Sequence, residues 1–181
     1  MTRKVQSKRP NARNKLPTGN DVPSNSARVA ALRMLARREL SEFQVRQRLA
    51  RRGYTESDIH ATIDRLKSER AIDDFRVAGA IARTETWLKH RGRRRVGQRI
   101  AQAGIAAAVA KRAIEETLVD CDGDQLIDAA LSKRLRGGRT IADEKEFLRL
   151  YRYLIAQGFD SDRALAALSK RRGDKAPAPE A

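Results

Sequence analysis

The stretch Val45-Arg-Gln-Arg-Leu49-Ala-Arg-Arg-Gly53-Tyr54 decides the fold, because its pattern returns twice along the chain. Two apolar residues stand four positions apart, a glycine follows after four more, and an apolar or aromatic residue comes directly after the glycine. The other copies are Val96, Ile100, Gly104, Ile105 and Leu150, Leu154, Gly158, Phe159. A unit repeated at near-constant spacing is typical of stacked-repeat proteins, which offer long binding surfaces more readily than closed catalytic pockets.

The apolar spacing of this repeated phrase is helical, since residues four apart share one face of an α-helix. No stretch shows sustained alternation of apolar and polar residues, so the sequence predicts an all-α protein. Each phrase glycine suits the position just after a helix, where φ is positive. Nine helices are predicted, at about 26–38, 41–52, 55–69, 73–90, 93–103, 106–119, 122–136, 141–157 and 160–171.

Helix starts are marked by side chains that can accept a hydrogen bond from free backbone N–H groups. Ser41 with Gln44 three residues later has the spacing of a capping box. The other predicted N-caps are Thr55, Asp122, Thr140 and Asp160.

Three tandem three-helix units, forming an elongated curved array, follow from this map. The units are predicted at 26–70, 71–120 and 121–172. Residues 1–25 and 173–181 are rich in proline or polar residues, so we expect both to be disordered tails, the first of them basic.

Charge is the second strong signal. The 181 residues include 39 Lys and Arg against 23 Asp and Glu, a net charge of +16. An excess of one sign on this scale indicates a polyanionic partner, and nucleic acid is the leading class. Only 4% of residues are aromatic, which favours contact with the phosphate backbone over stacking on bases. The single cysteine excludes an internal disulfide and fits a cytoplasmic protein, and no apolar run approaches the ~20 residues of a membrane span.

Motifs that could carry chemistry are incomplete. The glycines of residues 92–98 have the spacing of a phosphate-binding loop, but the loop lacks its Lys and Ser/Thr. Residues 120–124 begin like a calcium loop without the turn glycine. His60 and His90 lie apart from each other and from any acid cluster. We therefore expect no enzyme, no cofactor and no metal site.

The densest positive charge is the run Arg91, Arg93, Arg94 and Arg95, with Arg99 one turn later. The helix dipole disfavours cations at a helix start, so this crowding costs stability unless an outside anion offsets it. We therefore expect the run to bind DNA phosphates. A further set could extend the track, although cations near helix C-termini are also locally favourable: Arg48, Arg51, Arg52, Lys133, Arg134, Arg136, Arg139, Lys170, Arg171 and Arg172.

From Ala27 to Arg172 the chain resembles the RecX family of recombination regulators. The resemblance rests on Ala31-Leu-Arg-Met-Leu-Ala-Arg-Arg-Glu-Leu-Ser41, on the repeated phrase, and on Ile72-Asp-Asp-Phe-Arg-Val-Ala78, in that order and spacing. The chain departs from the family at Arg93, where a proline is common.

This resemblance implies a modular, non-catalytic protein that lies in the groove of the RecA filament. Such a protein would damp ATP hydrolysis, strand exchange and the co-protease activity that triggers the SOS response. The expected partners are the RecA filament and single- and double-stranded DNA, and a monomer is expected. Neither the residues nor the resemblance indicates the surface that contacts RecA. The alternative is a stand-alone helical transcription factor, although helix 55–69 carries acidic residues that would oppose DNA.

Overall fold

The computed structural model describes residues 24–119, 121–135 and 140–172, and all secondary structure in those ranges is helical. The predicted all-α class is therefore confirmed. The helices are α1 (Ser24–Leu35), α2 (Glu42–Ala50), α3 (Glu56–Ser68), α4 (Asp74–Arg83), α5 (Arg93–Gln102), α6 (Ala107–Leu118), α7 (Gly123–Ser132), α8 (Glu144–Ala156) and α9 (Ser161–Arg171). A π-helical segment, Thr84–Leu88, continues α4.

The buried side chains form three clusters. The first spans Ala27 to Ile72 in α1–α3, the second spans Val77 to Ile114 in α4–α6, and the third spans Leu126 to Leu168 in α7–α9. Each cluster contains the apolar pair of one phrase: Val45 and Leu49, Val96 and Ile100, or Leu150 and Leu154. The division into three units and the curved array remain predictions, as do the two tails, whose residues 1–23 and 173–181 lie outside the described ranges.

The three phrase glycines end α2, α5 and α8 in the left-handed conformation. Their φ angles are 83° at Gly53, 74° at Gly104 and 86° at Gly158. After Gly53 and Gly158 the next residue donates its N–H back to the helix: Tyr54 to the Leu49 carbonyl at 3.4 Å, and Phe159 to the Leu154 carbonyl at 3.2 Å. Glycine adopts this conformation without steric cost, so the predicted helix stops are confirmed.

Four of the predicted N-caps are also confirmed. Ser41 accepts a hydrogen bond from the Gln44 N–H at 3.2 Å, and Thr55 accepts one from the Asp58 N–H at 3.2 Å. Asp122 and Asp160 cap α7 and α9 by accepting the N–H two residues on, from Asp124 at 2.9 Å and from Asp162 at 3.1 Å.

The predicted cap Thr140 is wrong. Helix α8 begins at Glu144, and Asp143 caps it by accepting the Glu146 N–H at 2.7 Å. Ile141 is buried, and its N–H is donated to the Arg171 carbonyl at 3.2 Å. This contact with the end of α9 holds the chain outside the helix, so the start moves to the next residue able to cap.

Helices α2, α5 and α8, each the second helix around one buried cluster, meet end to end at two places. At the first, the N-terminus of α2 reaches the C-terminal end of α5: the Ser41 hydroxyl donates to the Ala103 carbonyl, and the Phe43 ring lies against Gly104. The carboxylate of Asp74, in the first turn of α4, accepts the Glu42 N–H at 2.8 Å. Burial raises the pKa of this carboxyl.

The second meeting, between the start of α5 and the end of α8, repeats the first. The Gly92 N–H, at the N-terminus of α5, is donated to the Gln157 carbonyl at 2.9 Å, and the Arg94 N–H is donated to the Gly158 carbonyl at 3.2 Å. A Cβ on Gly92 would lie 2.3 Å from the Gly158 oxygen, so glycine is needed for this approach. The positive end of one middle helix therefore faces the negative end of the next, which is electrostatically favourable.

Candidate nucleic-acid interface

Helix α5 begins at Arg93, after Gly92 as its N-cap, so Arg91 stands outside the helix. Arg91 is bound by the carboxylate of Glu85, whose side chain is only 4% exposed. Arg93 lies 3.4 Å from Glu115 in an exposed pair. The expectation that only an outside anion offsets the arginine run was therefore wrong, because carboxylates of the chain itself partly neutralise it.

Glu85 owes its position to the π-helical segment Thr84–Leu88 that interrupts the predicted helix 73–90. Its carboxylate also binds the Lys89 ammonium at 2.8 Å and lies 3.7 Å from Nε of Arg99. Burial raises the pKa of Glu85, but the hydrogen bonds from Lys89 and Arg91 outweigh it, and the pKa lies below its ordinary value. Sequence reasoning missed this residue, because only the fold brings its partners around it.

The cations of the run that remain for an outside ligand are Arg94 and Arg95. Arg94 is exposed and has no carboxylate partner within the described ranges. The Arg95 side chain donates to the Gln98 side-chain oxygen at 3.2 Å, which leaves its charge unneutralised.

Next to Arg94 lies a cavity of about 470 Å³, here called the junction cavity, between the start of α5 and the segment that joins α8 to α9. Its buried lining is apolar and includes Leu126 and Phe159. Its exposed lining holds three cations, Arg93, Arg94 and Arg163, and one carboxylate, Asp160. Sequence reasoning missed Arg163, and no local signal marks it, since it reaches the cavity only through the packing of α9 on α7.

A second basic site lies at the ends of α1 and α2. Arg37, Arg38, Arg48, Arg51 and Arg52, here called the arginine cluster, line a cavity of about 540 Å³ together with Met34. None of the five forms an ion pair within the described part of the chain. The pKa of Arg48 lies below its ordinary value, first because of burial and then because Arg38, Arg52 and Arg51 repel its charge.

Arg48, Arg51 and Arg52 of this cluster were predicted, whereas Arg37 and Arg38 were missed. The available signal was their place just after α1, where they meet the last turn of α2 because α1 and α2 pack together.

Of the predicted cations from Lys133 to Arg172, four are engaged within the described part of the fold. Arg171 pairs with Asp128 at 2.9 Å, and Arg172 pairs with Glu144 at 2.8 Å. The Arg134 guanidinium lies 4.6 Å from the Tyr153 ring centroid, and the Lys133 ammonium donates to the Leu88 carbonyl at 3.4 Å. Lys170 is exposed, whereas Arg136 and Arg139 lie outside the described residues.

The described residues contain no group of three or more His, Cys, Asp or Glu able to hold a metal. Cys121 is half-buried, and burial raises the pKa of its thiol, the opposite of what a nucleophilic cysteine requires. His60 pairs with Asp64 on the surface of α3 at 3.2 Å. Over the same ranges, no helix combines the length and the apolar character that crossing a membrane demands.

Comparison with known proteins identifies relatives over most of the chain. A family described as "RecX, first three-helix domain" matches residues 27–66. The chain is 35% identical over 157 residues to regulatory protein RecX of Halorhodospira halophila, covering 85% of this chain and 94% of the relative. It is 32% identical over 148 residues to regulatory protein RecX of Vibrio parahaemolyticus, covering 82% and 93%.

A solved structure has the same fold. The crystal structure of RecX from Lactobacillus salivarius superposes with a TM-score of 0.67 at 19% identity, over 81% of this chain and 95% of the other.

Proposed function

The chain belongs to the RecX family of regulatory proteins, and from that premise we propose that it binds the RecA filament and restrains it, with basic surfaces contacting the DNA that the filament holds. In this proposal the protein acts by occupancy and not by catalysis. Restraint of the filament lowers its ATP hydrolysis, its strand exchange and its SOS co-protease activity.

The arginine cluster carries the DNA part of the proposal. Five guanidinium groups that repel one another are unfavourable in the free protein, and phosphate groups relieve the repulsion. Arginine also matches phosphate geometry with two parallel hydrogen bonds. The net charge of +16 supports the same class of partner.

The alternative, a stand-alone transcription factor, needs a recognition helix whose side chains reach base edges. Helix α3 follows the tight turn at Gly53, where such a helix would lie. Its accessible residues include Glu56, Asp58 and Asp64. Carboxylates on this face repel phosphates, so α3 is poorly suited to enter a groove.

The ATPase activity of RecA filaments on single-stranded DNA tests the proposal. We expect the protein to lower the hydrolysis rate when it is substoichiometric to RecA, because one bound molecule would cover several RecA subunits. DNA is supplied in excess so that the basic protein does not remove it from RecA. A rate unchanged at a protein concentration equimolar to RecA would contradict the proposal.

A variant with Arg37, Arg38 and Arg51 replaced by alanine serves as the internal comparison. If DNA contacts add to RecA binding, this variant inhibits only at higher concentration than the wild-type protein. Equal inhibition by both would remove the arginine cluster from the mechanism and leave the RecA contact in place.

A further inference from the structure

We propose that the junction cavity receives one unstacked nucleobase of a single DNA strand, and that this base carries an exocyclic amino group. The inference rests on the proposed function, because it assumes that the protein meets DNA. It goes further by assigning to this cavity a base contact that the low aromatic content alone does not suggest.

The cavity combines the surfaces that a nucleotide presents. Leu118, Leu126 and Phe159 supply apolar area against which a planar ring can lie. Arg94 and Arg163 stand at its exposed side, where they can bind the phosphates that flank an inserted base. A volume of about 470 Å³ lies within the range typical of small-molecule sites.

Glycine shapes this cavity at its wall. A Cβ on Gly123 would lie 2.1 Å from Nη1 of Arg163, so the guanidinium group rests directly on the backbone at the start of α7. A side chain at this position would push the arginine away. The arginine is therefore placed by packing, and its charge stands next to the apolar lining.

Asp160 favours a neutral base over an anionic group as the occupant of the cavity. It lines the cavity, and one of its carboxylate oxygens accepts the Asp162 N–H at 3.1 Å. A carboxylate has further acceptor positions, and these suit the amino group of cytosine. Asp160 also caps α9, and its negative charge would repel an acidic peptide and disfavour a phosphate group as the occupant of the cavity.

Cys121 makes the cavity accessible to experiment, because it lines the cavity and is the only cysteine in the chain. The rate of its modification by a thiol reagent is measured on the full-length protein. Three strands with equal numbers of phosphates are compared: oligodeoxycytidylate, oligodeoxythymidylate and an abasic strand. Fluorescence anisotropy determines the affinity of each strand beforehand.

With free oligodeoxycytidylate at about ten times its Kd, we expect the modification rate to fall by roughly tenfold, in proportion to the fraction of empty cavities. We expect the abasic strand to leave the rate nearly unchanged. Thymine presents a carbonyl where cytosine has its amino group. Oligodeoxythymidylate should therefore need about ten times the concentration to slow the modification of Cys121 by the same factor.

Two variants locate the effect. Arg163→Ala removes a cavity cation from an exposed position and should reduce protection by oligodeoxycytidylate. Arg152→Ala removes the same charge from an exposed position on α8 outside the cavity and should not.

Equal protection by the abasic strand would overturn the inference, because phosphates crossing the opening would then suffice. Strong DNA binding without protection of Cys121 would also overturn it, while leaving the proposed function intact. Protection by an acidic peptide but by no strand would replace it with a protein ligand. Failure of every strand to bind would contradict the DNA part of the proposed function itself.

Discussion

Three glycines share one backbone conformation but not one environment. Gly53 is exposed at the end of α2, whereas Gly158 is buried where α8 meets α5. A Cβ at Gly158 would lie 2.3 Å from the backbone nitrogen of Arg95. Glycine therefore has one role at position 53, where it permits positive φ. At position 158 it has two, because it also permits the close approach of Arg95.

Replacing each glycine by alanine separates these roles. Gly53→Ala should lower the free energy of unfolding by about 1–2 kcal/mol, the cost of a left-handed non-glycine residue. Gly158→Ala should cost about 3 kcal/mol or more, because steric overpacking adds to that strain. Denaturant unfolding measures both, and equal losses would mean that the contact with Arg95 yields without cost.

Glu85 is a buried residue whose charge is neutralised inside the fold. Its buried carboxylate binds Arg91 and Lys89, and its pKa is lowered from the ordinary value of 4.5. A carboxyl group with a lowered pKa in the folded state stabilises the protein above its unfolded pKa. That stabilisation is lost as the pH falls through the lower, folded value.

The variant Glu85→Gln should therefore be less stable than the wild-type protein at pH 7, by about 1–3 kcal/mol for a part-buried charged hydrogen-bond network. The difference should begin to shrink as the pH falls below 4.5, where the carboxyl becomes protonated in the unfolded chain, and should vanish once the pH passes the lower pKa of the folded state. Urea unfolding of both proteins from pH 7 to pH 3 measures this. A difference that stays constant would show that packing, and not charge, makes Glu85 important.

At the scale of the helix, two hydroxyl N-caps differ in how many helices they contact. The Thr55 hydroxyl caps α3 at an exposed position. The Ser41 hydroxyl caps α2 and also donates to the Ala103 carbonyl at the end of α5. Ser41 is fully buried, so its second hydrogen bond joins α2 to the end of α5 away from water.

Thr55→Ala should cost about 1 kcal/mol, the usual effect of losing a cap. Ser41→Ala should cost more, about 2–3 kcal/mol, because it also leaves a buried carbonyl without its donor. Thermal unfolding followed by circular dichroism compares the two variants. If both lost the same stability, the link from α2 to α5 would contribute nothing.

At the scale of the whole molecule, some arginines are neutralised by carboxylates of the chain and others are not. Arg91, Arg171 and Arg172 are engaged by carboxylates of the chain, whereas the arginine cluster is not. A cation already paired gains little from phosphate. The arginine cluster should therefore contribute more to DNA affinity than the arginine run that starts at Arg91.

Replacing Arg37, Arg38 and Arg51 by alanine should weaken duplex binding and flatten its salt dependence. Each phosphate contact contributes about −0.9 to the slope of log K against log salt concentration, so losing two contacts changes the slope by almost two units. The matched control replaces Arg65, Arg112 and Arg149, each paired with a glutamate on or next to its own helix. Both variants lose three charges, so equal slopes would mean that net charge alone governs binding.

The all-α class, the glycine stops and four of the predicted caps could be read from the sequence. Each depends on residues within about one turn of the helix, so spacing alone reveals it. The predicted start of α8 failed because Ile141 is held by Arg171, thirty positions away in the chain. No local pattern contains that contact.

What the sequence determined by itself was therefore the list of helices and the excess of positive charge. Only the tertiary structure decided which cations are paired, because Glu85 faces Arg91 and Arg99 through a π-helical segment and a chain reversal. Packing also brought Arg37 and Arg38 to Arg48, and Arg163 to Arg94. Pairing energies depend on distance in space and on burial, and both quantities exist only after the chain has folded.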